Sequence, residues 1–508
     1  MLTKIKQKIA SLKSEDTSRN VKNAAFSTGD FLVNALVLLA ATPVYLKGLG
    51  TELFGVWILV NTVLGMGGMF SFGMGQATLK FVSKYHALGD SKQVIATIRG
   101  TWGIYLSLGI LGGLAIAAAS PILFQHAFTV DLVHQDTAIK ALALAGLGLP
   151  VIFSNNVFDC SLKGFERYDY ASNANVVVNV LRHATQVICV LSGYGIVVLV
   201  AVAIASQLIG VCVKAFLLRR KLLPNLICIP SFTHSNYREI FSFSFYSWLS
   251  NLMGIARNNG DRLIIASMLG ASALAYYDIA QRILVQVYNV TSRAFGFLFP
   301  YSSRLYESGR MDELRKNYDQ ATAVISVLSI ACILPLFVFA HPILEMWLGA
   351  EVALQASFLM QILAVRFALY PLSIVNTYFL YGANKIKSFA LIQAISTVFM
   401  LGAVALLTSK FGLIGSALGQ CCVIFVIFFN RTYIENSIFG NWRLLPHVIA
   451  VTAVLSPILI ASTCIDVVGN INSVPSLFVS SLIFSIFGVV VALLIFMAGK
   501  RIKPLYVL

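Results

Sequence analysis

The sequence predicts an all-α polytopic membrane protein with about 14 transmembrane helices. Hydrophobic residues make up 58% of the 508 residues and charged residues only 11%, whereas soluble domains carry about 25% charged residues. The apolar residues form blocks of about 20, the length that crosses a bilayer as a helix. The blocks lack the period-two alternation of transmembrane β-strands. Composition and pattern together therefore indicate a bundle of membrane-spanning helices.

Each apolar block is interpreted as one helix, because backbone polar groups in lipid must form their hydrogen bonds within their own segment. In chain order, the predicted spans occupy residues 24–45, 53–76, 100–122, 140–160, 173–193, 196–218, 241–267, 274–300, 319–340, 356–381, 388–408, 411–430, 444–464 and 476–498.

Basic residues lie mostly on one side of this topology. The chain has 37 Lys and Arg against 21 Asp and Glu, and most of the cations fall in the termini and the even-numbered connections. Only Lys47, Lys140 and Lys410 fall in the odd-numbered connections. The positive-inside rule then predicts that both termini are cytoplasmic. It also explains the net charge of +16 through contact with the bilayer, without a nucleic-acid partner.

The two halves of the chain match each other at an offset near 220 residues. The matches fall at equivalent span boundaries: Leu49-Gly50 and Leu269-Gly270, Gly89 and Gly309, Pro121-Ile122-Leu123 and Pro342-Ile343-Leu344, Pro150 and Pro371. Six spans are an even number, so both halves have the same orientation in the membrane. We therefore predict a basic amphipathic segment at residues 1–23, a first lobe at 24–218, a cytoplasmic linker at 219–238, a second lobe at 239–440, and a C-terminal helix pair with a cytoplasmic tail at 441–508.

Two motifs identify a family resemblance. The first is Pro43-Val44-Tyr45-Leu46-Lys47-Gly48-Leu49-Gly50 followed by Phe54-Gly55-Val56-Trp57; the second is Asn259-Gly260-Asp261-Arg262-Leu263-Ile264-Ile265 followed by Leu269-Gly270-Ala271 and Tyr276-Tyr277. With these motifs the chain resembles the polysaccharide exporters of the multidrug/oligosaccharidyl-lipid/polysaccharide (MOP) flippase superfamily. The resemblance extends over roughly residues 24–440.

This resemblance implies a transporter of the bacterial inner membrane with two six-helix lobes around a central cavity. The implied substrate is an undecaprenyl-pyrophosphate-linked oligosaccharide repeat unit. Alternating access would move it from the cytoplasmic to the periplasmic leaflet for the synthesis of O-antigen, capsule or exopolysaccharide. A polysaccharide polymerase and a chain-length regulator are the further partners that it suggests, and no cofactor is expected.

Ionisable residues inside the spans are the candidates for the functional site. Each costs about 2.5–3.5 kcal/mol on insertion scales and should therefore face protein or water. The eighth span has the longest polar stripe. At about 100° per residue, its members fall within roughly 80° of one another on the helix: Asp278, Arg282, Gln286, Asn289 and Arg293. Such a ridge is typical of a helix that lines a water-filled path.

Other spans carry similar residues, and their charge indicates the substrate. The further candidates are Arg257, Asp261 and Arg262 in the seventh span, Asn179 and Arg182 in the fifth, Asp30 in the first and Arg366 in the tenth. The predicted spans thus contain six arginines but only three acids, Asp30, Asp261 and Asp278. The guanidinium group stays charged and matches phosphate oxygens with its planar set of donors. The excess of arginine predicts a cavity for a pyrophosphate.

Two other roles remain open for these residues. The pairs Asp278–Arg282 and Arg257–Asp261 have a four-residue spacing and are equally compatible with structural ion pairs. Arg182 and Arg293 have no acid at such a spacing. A buried carboxylate can also bind a proton or a sodium ion, so Asp30, Asp261 and Asp278 are candidates for ion coupling.

Three alternative functions are compatible with parts of this sequence. A multidrug or cation antiporter of the same superfamily would have twelve helices and an acidic cavity, and a peptidoglycan-precursor flippase would share the predicted topology. A polysaccharide polymerase would need a large extracytoplasmic loop with paired carboxylates, whereas the longest such connection here is residues 123–139. The chain also lacks a phosphate-binding G-x-x-x-x-G-K-[ST] motif and the His and Cys spacing of a zinc site. We therefore predict a transporter, without a bound metal, rather than an enzyme.

Overall fold

The computed structural model describes residues 2–224, 226, 229–231, 237–443, 445–463 and 474–502. Within these ranges the chain is α-helical and contains no β-strand. The helices of the first half are α1 Leu2–Gly67, α2 Met74–Ala87, α3 Ser91–Ile122, α4 Leu132–Leu147, α5 Leu149–Gly164, α6 Tyr168–Leu191, α7 Ile196–Lys221 and α8 Tyr237–Met268. Those of the second half are α9 Ala271–Ala294, α10 Leu298–Glu307, α11 Met311–Val338, α12 Ala340–Leu348, α13 Ala350–Leu369, α14 Leu372–Gly382, α15 Ile386–Gln420, α16 Val423–Ser437, α17 Leu445–Ser462 and α18 Val474–Ile502.

Ten stretches of the described chain are long and apolar enough to cross a membrane. Two of them, Phe26–Ser71 and Lys387–Ser437, contain a turn at a glycine with non-helical backbone angles, Gly50 and Gly412, and so hold more than one helix. The helix α9 is not among the ten, because the polar residues of its stripe lower its hydropathy. The prediction of an all-α, multi-pass membrane protein is confirmed, and about 14 spans are compatible with these helices. The side chains of the predicted segment at residues 1–23 lie outside the described part of the chain.

The internal repeat is visible in the backbone. Gly50 and Gly270 have φ values of 77° and 91°, and Gly89 and Gly309 have φ values of 71° and 69°. A side chain at a positive φ is strained, so glycine suits these turns in both halves. The repeat predicted from the sequence therefore reflects the same turns at equivalent places.

Several predicted spans are two helices rather than one. The second span is broken at Gly68–Gly73, where Phe72 and Gly73 adopt positive φ, and the fourth is broken at Gly148. The eighth and tenth spans are broken at the equivalent places, between α9 and α10 and between α13 and α14. Pro150 and Pro371 lie at the start of the second helix of their pair. Proline has no backbone N–H to donate, so it fits a first helical turn but not a helix interior.

The chain divides into two compact units, residues 1–259 and 260–508. In the first unit, α3 packs closely against α4 and α5. A Cβ atom added at Gly113 would lie 2.4 Å from the carbonyl oxygen of Gly146, and one at Gly109 would lie 2.6 Å from the Cα of Pro150. The helix α3 can approach α4 and α5 this closely because its glycines at the contacts have no side chain.

In the second unit, the C-terminal pair α17 and α18 packs against α11. The hydroxyl of Ser485 donates a hydrogen bond to the carbonyl oxygen of Ala331 at 2.8 Å, and a Cβ atom added at Gly488 would lie 2.9 Å from the Leu334 side chain. Small residues on α18 thus hold it directly against α11.

Candidate functional site

The second unit contains a group of polar side chains, most of them buried, that we call the charge cluster. It is built by α8, α9, α13 and α15 and consists of Asp261, Arg262, Tyr277, Asp278, Arg282, Arg366 and Gln420. At its centre, the two carboxylate oxygens of Asp278 lie 2.6 Å from Arg262 Nη2 and 2.5 Å from Arg282 Nη2. Asp278 is 4% exposed, so these charges meet away from solvent. One carboxylate therefore holds guanidinium groups from two helices.

Asp261 accepts hydrogen bonds from neutral donors. Its Oδ2 atom accepts from the Tyr277 hydroxyl at 2.7 Å and from Gln420 Nε2 at 2.9 Å, and its Oδ1 atom accepts from the backbone N–H of Arg262 at 2.9 Å. Arg257, whose four-residue spacing suggested an ion pair with Asp261, is half-buried on α8. Three donors from three helices, α8, α9 and α15, stabilise the buried carboxylate.

Arg366 is the least neutralised cation of the charge cluster. It is 6% exposed, and none of the carboxylates in the described part of the chain lies within ion-pair distance of it. Its guanidinium carbon lies 4.7 Å from the centre of the Phe367 ring and 5.4 Å from that of Tyr370, and its Nε atom has no hydrogen-bond partner. The cluster holds three arginines and two aspartates, a net charge of +1, and Arg366 supplies the excess.

The polar stripe of α9 changes character along the helix. Asp278 and Arg282 are buried within the charge cluster, whereas Gln286 and Asn289 are half-buried and Arg293 is exposed. The structure therefore brings the first two residues of the predicted ridge together with Arg262 and leaves the other three outside the charge cluster.

The first unit has its own polar pocket, with a volume of about 280 Å³. Its lining, from α1, α5, α6 and α7, consists of Asp30, Asn34, Ile152, Asn155, Asn156, Asp159, Asn175, Asn179, Gln207 and Lys214. Asp30 accepts a hydrogen bond from Asn34 at 2.6 Å and a longer one from Asn175 at 3.5 Å. Two of the predicted site residues, Asp30 and Asn179, thus line one pocket, and its net charge is −1.

Lys214 corrects the sequence analysis, which counted only arginines as embedded cations. Its side chain is 2% exposed, and its Nζ atom lies 3.0 Å from the carboxylate of Asp159 and 2.9 Å from Asn155 Oδ1. Lys163 contacts the other oxygen of Asp159 at 2.6 Å. Lys214 lies within the sixth predicted span, so its position in the apolar run was the signal that could have identified it. Near the end of a span, a lysine is easily assigned to the adjoining loop.

Arg182 begins a chain of hydrogen bonds in the first unit. Its Nη2 atom lies 3.0 Å from His183 Nε2, and His183 Nδ1 lies 2.8 Å from the Tyr45 hydroxyl. That hydroxyl donates to Gln186 Oε1 at 3.1 Å, and Gln186 Nε2 donates to the carbonyl oxygen of Leu199 at 2.8 Å. Because Arg182 donates to Nε2, His183 is a neutral imidazole with its proton on Nδ1. No described carboxylate lies within ion-pair distance of Arg182.

The sequence pattern did not identify Tyr277, Gln420 or Asn155 as site residues. Tyr277 was noted only as part of a motif and as an aromatic residue near a span end, yet its hydroxyl contacts Asp261. Gln420, which lies 159 positions further along the chain, contacts the same carboxylate from α15. Spacing along one helix carries no information about such partners.

Comparisons with known proteins agree with this architecture. A family described as "Polysaccharide biosynthesis protein" matches residues 49–353. A Shigella flexneri protein named "Putative O-antigen transporter" is 18% identical over 398 residues, which cover 78% of this chain and 93% of that protein.

Two solved structures have a similar fold. The lipid II flippase MurJ, in an inward closed conformation, has a TM-score of 0.68 at 12% identity, covering 96% of this chain and 99% of that chain. An inward-facing multidrug resistance transporter of the MATE family, from the MOP superfamily, has a TM-score of 0.66 at 17% identity, covering 79% and 94%. At these identities the likeness establishes the fold alone.

The expected resemblance to polysaccharide exporters and the expectation of a transporter rather than an enzyme are therefore confirmed. The matched family covers more than half of the chain, and the helical fold is similar to those of MurJ and the MATE transporter. The chain belongs to the polysaccharide biosynthesis protein family and is a multi-pass membrane transporter.

Proposed function

We propose that this transporter moves an undecaprenyl-pyrophosphate-linked oligosaccharide from the cytoplasmic to the periplasmic leaflet of a bacterial inner membrane, with both of its own termini in the cytoplasm. The product would supply a polymerase for O-antigen, capsule or exopolysaccharide. The observation that carries this proposal is Arg366, a buried guanidinium group without a carboxylate partner in the described residues, in a cluster of net charge +1.

An unmatched arginine at membrane depth favours an anionic ligand. Removing a charge from water costs several kcal/mol, and a partner charge offsets that cost. The charge cluster offers no free carboxylate to Arg366, since Asp278 is shared by two other arginines and Asp261 is held by three neutral donors. A phosphate oxygen would give the Arg366 guanidinium group the anionic partner that the described carboxylates do not supply.

The other predicted residues take different parts in this proposal. Arg262 and Arg282 position Asp278 and set the charge of the cluster, while Arg182, Arg257 and Arg293 are further candidates for phosphate contact. The amides Gln286, Asn289 and Asn179 would bind sugar hydroxyls, because amides both donate and accept hydrogen bonds.

Asp30 is our candidate for a coupling ion. Its carboxylate lies in the polar pocket of the first unit with two amide donors and no cation within ion-pair distance in the described residues. Carboxylate and amide oxygens are hard ligands that suit a small cation, and a carboxylate can also take up a proton. Asp261 is the next candidate, and Asp278 the last because it already holds two arginines.

The test of the proposal replaces Arg366 in cells that lack their own exporter and require this chain for surface polysaccharide. Arg366→Gln removes a charge-assisted hydrogen bond, typically about 1.5–3 kcal/mol, so the rate of export should fall about 10- to 150-fold. Arg366→Lys keeps the charge and should retain part of the activity. Arg310→Gln is the matched control, because Arg310 is 60% exposed and lies outside the charge cluster.

Export must be compared at equal amounts of folded protein in the membrane. Undiminished export by Arg366→Gln would contradict the proposal that Arg366 binds a phosphate of the substrate. Complementation tests the alternative substrate, the peptidoglycan precursor. If the chain restores growth in cells depleted of their peptidoglycan-precursor flippase but does not restore surface polysaccharide, the peptidoglycan precursor is favoured as the substrate.

A further inference from the structure

A second cavity, about 760 Å³ in volume, lies in the second unit between α11, the end of α16, α17 and α18. Small-molecule sites have volumes of about 300–1,000 Å³. We call this cavity the basic groove. Its polar lining includes Asp312, Arg315, Lys316, Asp319, Arg431 and Arg443, and its apolar lining includes Val324, Val327, Leu328, Ile449, Leu493 and Phe496. None of these residues belongs to the charge cluster.

The packing of α18 creates the basic groove. Ser485 and Gly488 hold α18 tightly against α11 at Ala331 and Leu334. About one turn or more beyond Gly488, the side chains of α18 line an open cavity instead of filling the interface. The groove is therefore bounded by a fixed helix contact at one end.

The polar end of the groove is built by ion pairs that leave donors available. Arg315 Nη2 lies 2.6 Å from Glu435, and Arg431 Nη2 lies 3.2 Å from Asp319 and 3.5 Å from Glu435. Glu435 and Arg431 are 1% and 4% exposed, so these charges are fixed in place. The Nε atoms of both arginines are buried and lack hydrogen-bond partners. Arg431, which is 4% exposed and lines the groove, thus keeps a buried Nε donor without a hydrogen-bond partner.

The groove carries a positive charge. Its lining has four cations, Arg315, Lys316, Arg431 and Arg443, against two acids, Asp312 and Asp319. Adding Glu435, which pairs with Arg315 and Arg431, leaves a net charge of +1. Lys316 and Arg443 have no carboxylate within ion-pair distance among the described residues.

We infer that the basic groove binds an anionic glycerophospholipid of the inner leaflet. Its phosphodiester would lie at Lys316 and Arg443, beside the buried Arg431, and an acyl chain would follow the wall formed by Val327, Leu493 and the neighbouring apolar residues. The cations at one end of the groove complement the phosphate of such a lipid, and the apolar wall complements its acyl chain. The net charge of +1 suits a single phosphodiester better than a diphosphate.

The position of the groove agrees with this occupant. The first turns of α11 and the last turns of α16 form its polar end, and the sequence predicts that both ends are cytoplasmic, where anionic lipids concentrate. Basic pockets between transmembrane helices on that side bind lipid head groups. The lipid would fill the cavity lined by Leu493 and Phe496 of α18, and this inference is independent of the proposed substrate.

The experiment measures lipid retention by the purified full-length protein with native mass spectrometry. Phosphatidylglycerol is titrated against phosphatidylcholine with the same acyl chains. The double variant Lys316→Gln/Arg443→Gln should bind phosphatidylglycerol about 30-fold more weakly, since each cation near an anionic lipid contributes about a factor of five. The control variant Lys92→Gln/Lys387→Gln removes the same charge from exposed positions outside the groove and should bind as the unmodified protein does.

A second variant tests the apolar wall without changing charge. Val327→Trp would fill the groove and should also reduce retention of phosphatidylglycerol. Equal retention of the two lipids by the unmodified protein, or equal loss in the test and control double variants, would overturn the inference. Displacement of the retained lipid by undecaprenyl phosphate at equimolar concentration would overturn it as well, because the groove would then belong to the substrate.

Discussion

Replacing Asp278 by Asn would leave Arg262 and Arg282 without the carboxylate that they share. The Arg282 side chain is 7% exposed and the Arg262 side chain is 26% exposed. Water can therefore solvate part of the charge of Arg262 but hardly any of the charge of Arg282. Breaking a buried ion pair by removing one partner costs about 3–5 kcal/mol, because the remaining charge stays uncompensated. We expect Asp278→Asn to lower the free energy of unfolding by this amount.

A double variant separates the lost pair from other effects of the substitution. Asp278→Asn/Arg282→Gln removes both charges and restores electrical balance at that pair, so most of the lost stability should return. The coupling energy between the two sites should exceed about 1 kcal/mol, which is at the level measured for interacting residues. The assay is reversible unfolding in mixed micelles of increasing denaturing-detergent fraction.

The matched control is the pair Asp136 and Lys140, which has the same four-residue spacing on a helix. Its side chains are 73% and 65% exposed, and exposed pairs contribute about 0.2–1 kcal/mol. Asp136→Asn should therefore change the free energy of unfolding by less than about 1 kcal/mol. A similarly small effect of Asp278→Asn, or additive effects in its double variant, would refute the reasoning about buried charge.

Three further predictions concern other parts of the molecule. Lys214→Met with Lys163→Gln removes both cations that contact Asp159 and should destabilise the first unit by about 3–5 kcal/mol, and Asp159→Asn in the same chain should restore much of the loss, measured by the same unfolding assay. Gly488→Leu should force α18 away from Leu334 and cost about 1–3 kcal/mol, whereas Gly488→Ala should cost less, as judged by melting temperature. Asp30→Asn should abolish the dependence of export on a proton or sodium gradient while leaving the melting temperature nearly unchanged; persistent dependence would exclude Asp30 as the coupling site.

The sequence predicted the helices well because hydropathy adds up over each span. The same averaging hides a break of one or two residues, so the interruptions near Gly73, Gly148 and Tyr370 were not predicted. They depend on a local backbone conformation, such as the φ of 71° at Gly73, that barely changes the mean hydropathy. The repeated glycines did predict equivalent turns, because a positive φ restricts the residue type.

The site was predicted only where its residues share a helix. The spacing on α9 placed Asp278 next to Arg282, and the structure pairs them. Contacts between helices could not be read from spacing: Asp278 also binds Arg262, and Asp261 binds Tyr277 and Gln420. Partners from different helices depend on how the helices pack, which a single sequence does not specify.

The two units have equivalent turns but different chemistry. The pocket of the first unit contains six amide side chains, two acids and Lys214; Asp159 pairs with Lys163 and Lys214, whereas the Asp30 carboxylate has no cation within ion-pair distance in the described residues. The charge cluster of the second unit has an arginine in excess. A small cation therefore suits the first unit and a phosphate suits the second. If the ion binds at Asp30 and the phosphate at Arg366, the two need not compete for one site, and the two residues can be altered separately. Substituting Asp30 should then change ion dependence without changing affinity for the pyrophosphate lipid, and substituting Arg366 should do the reverse.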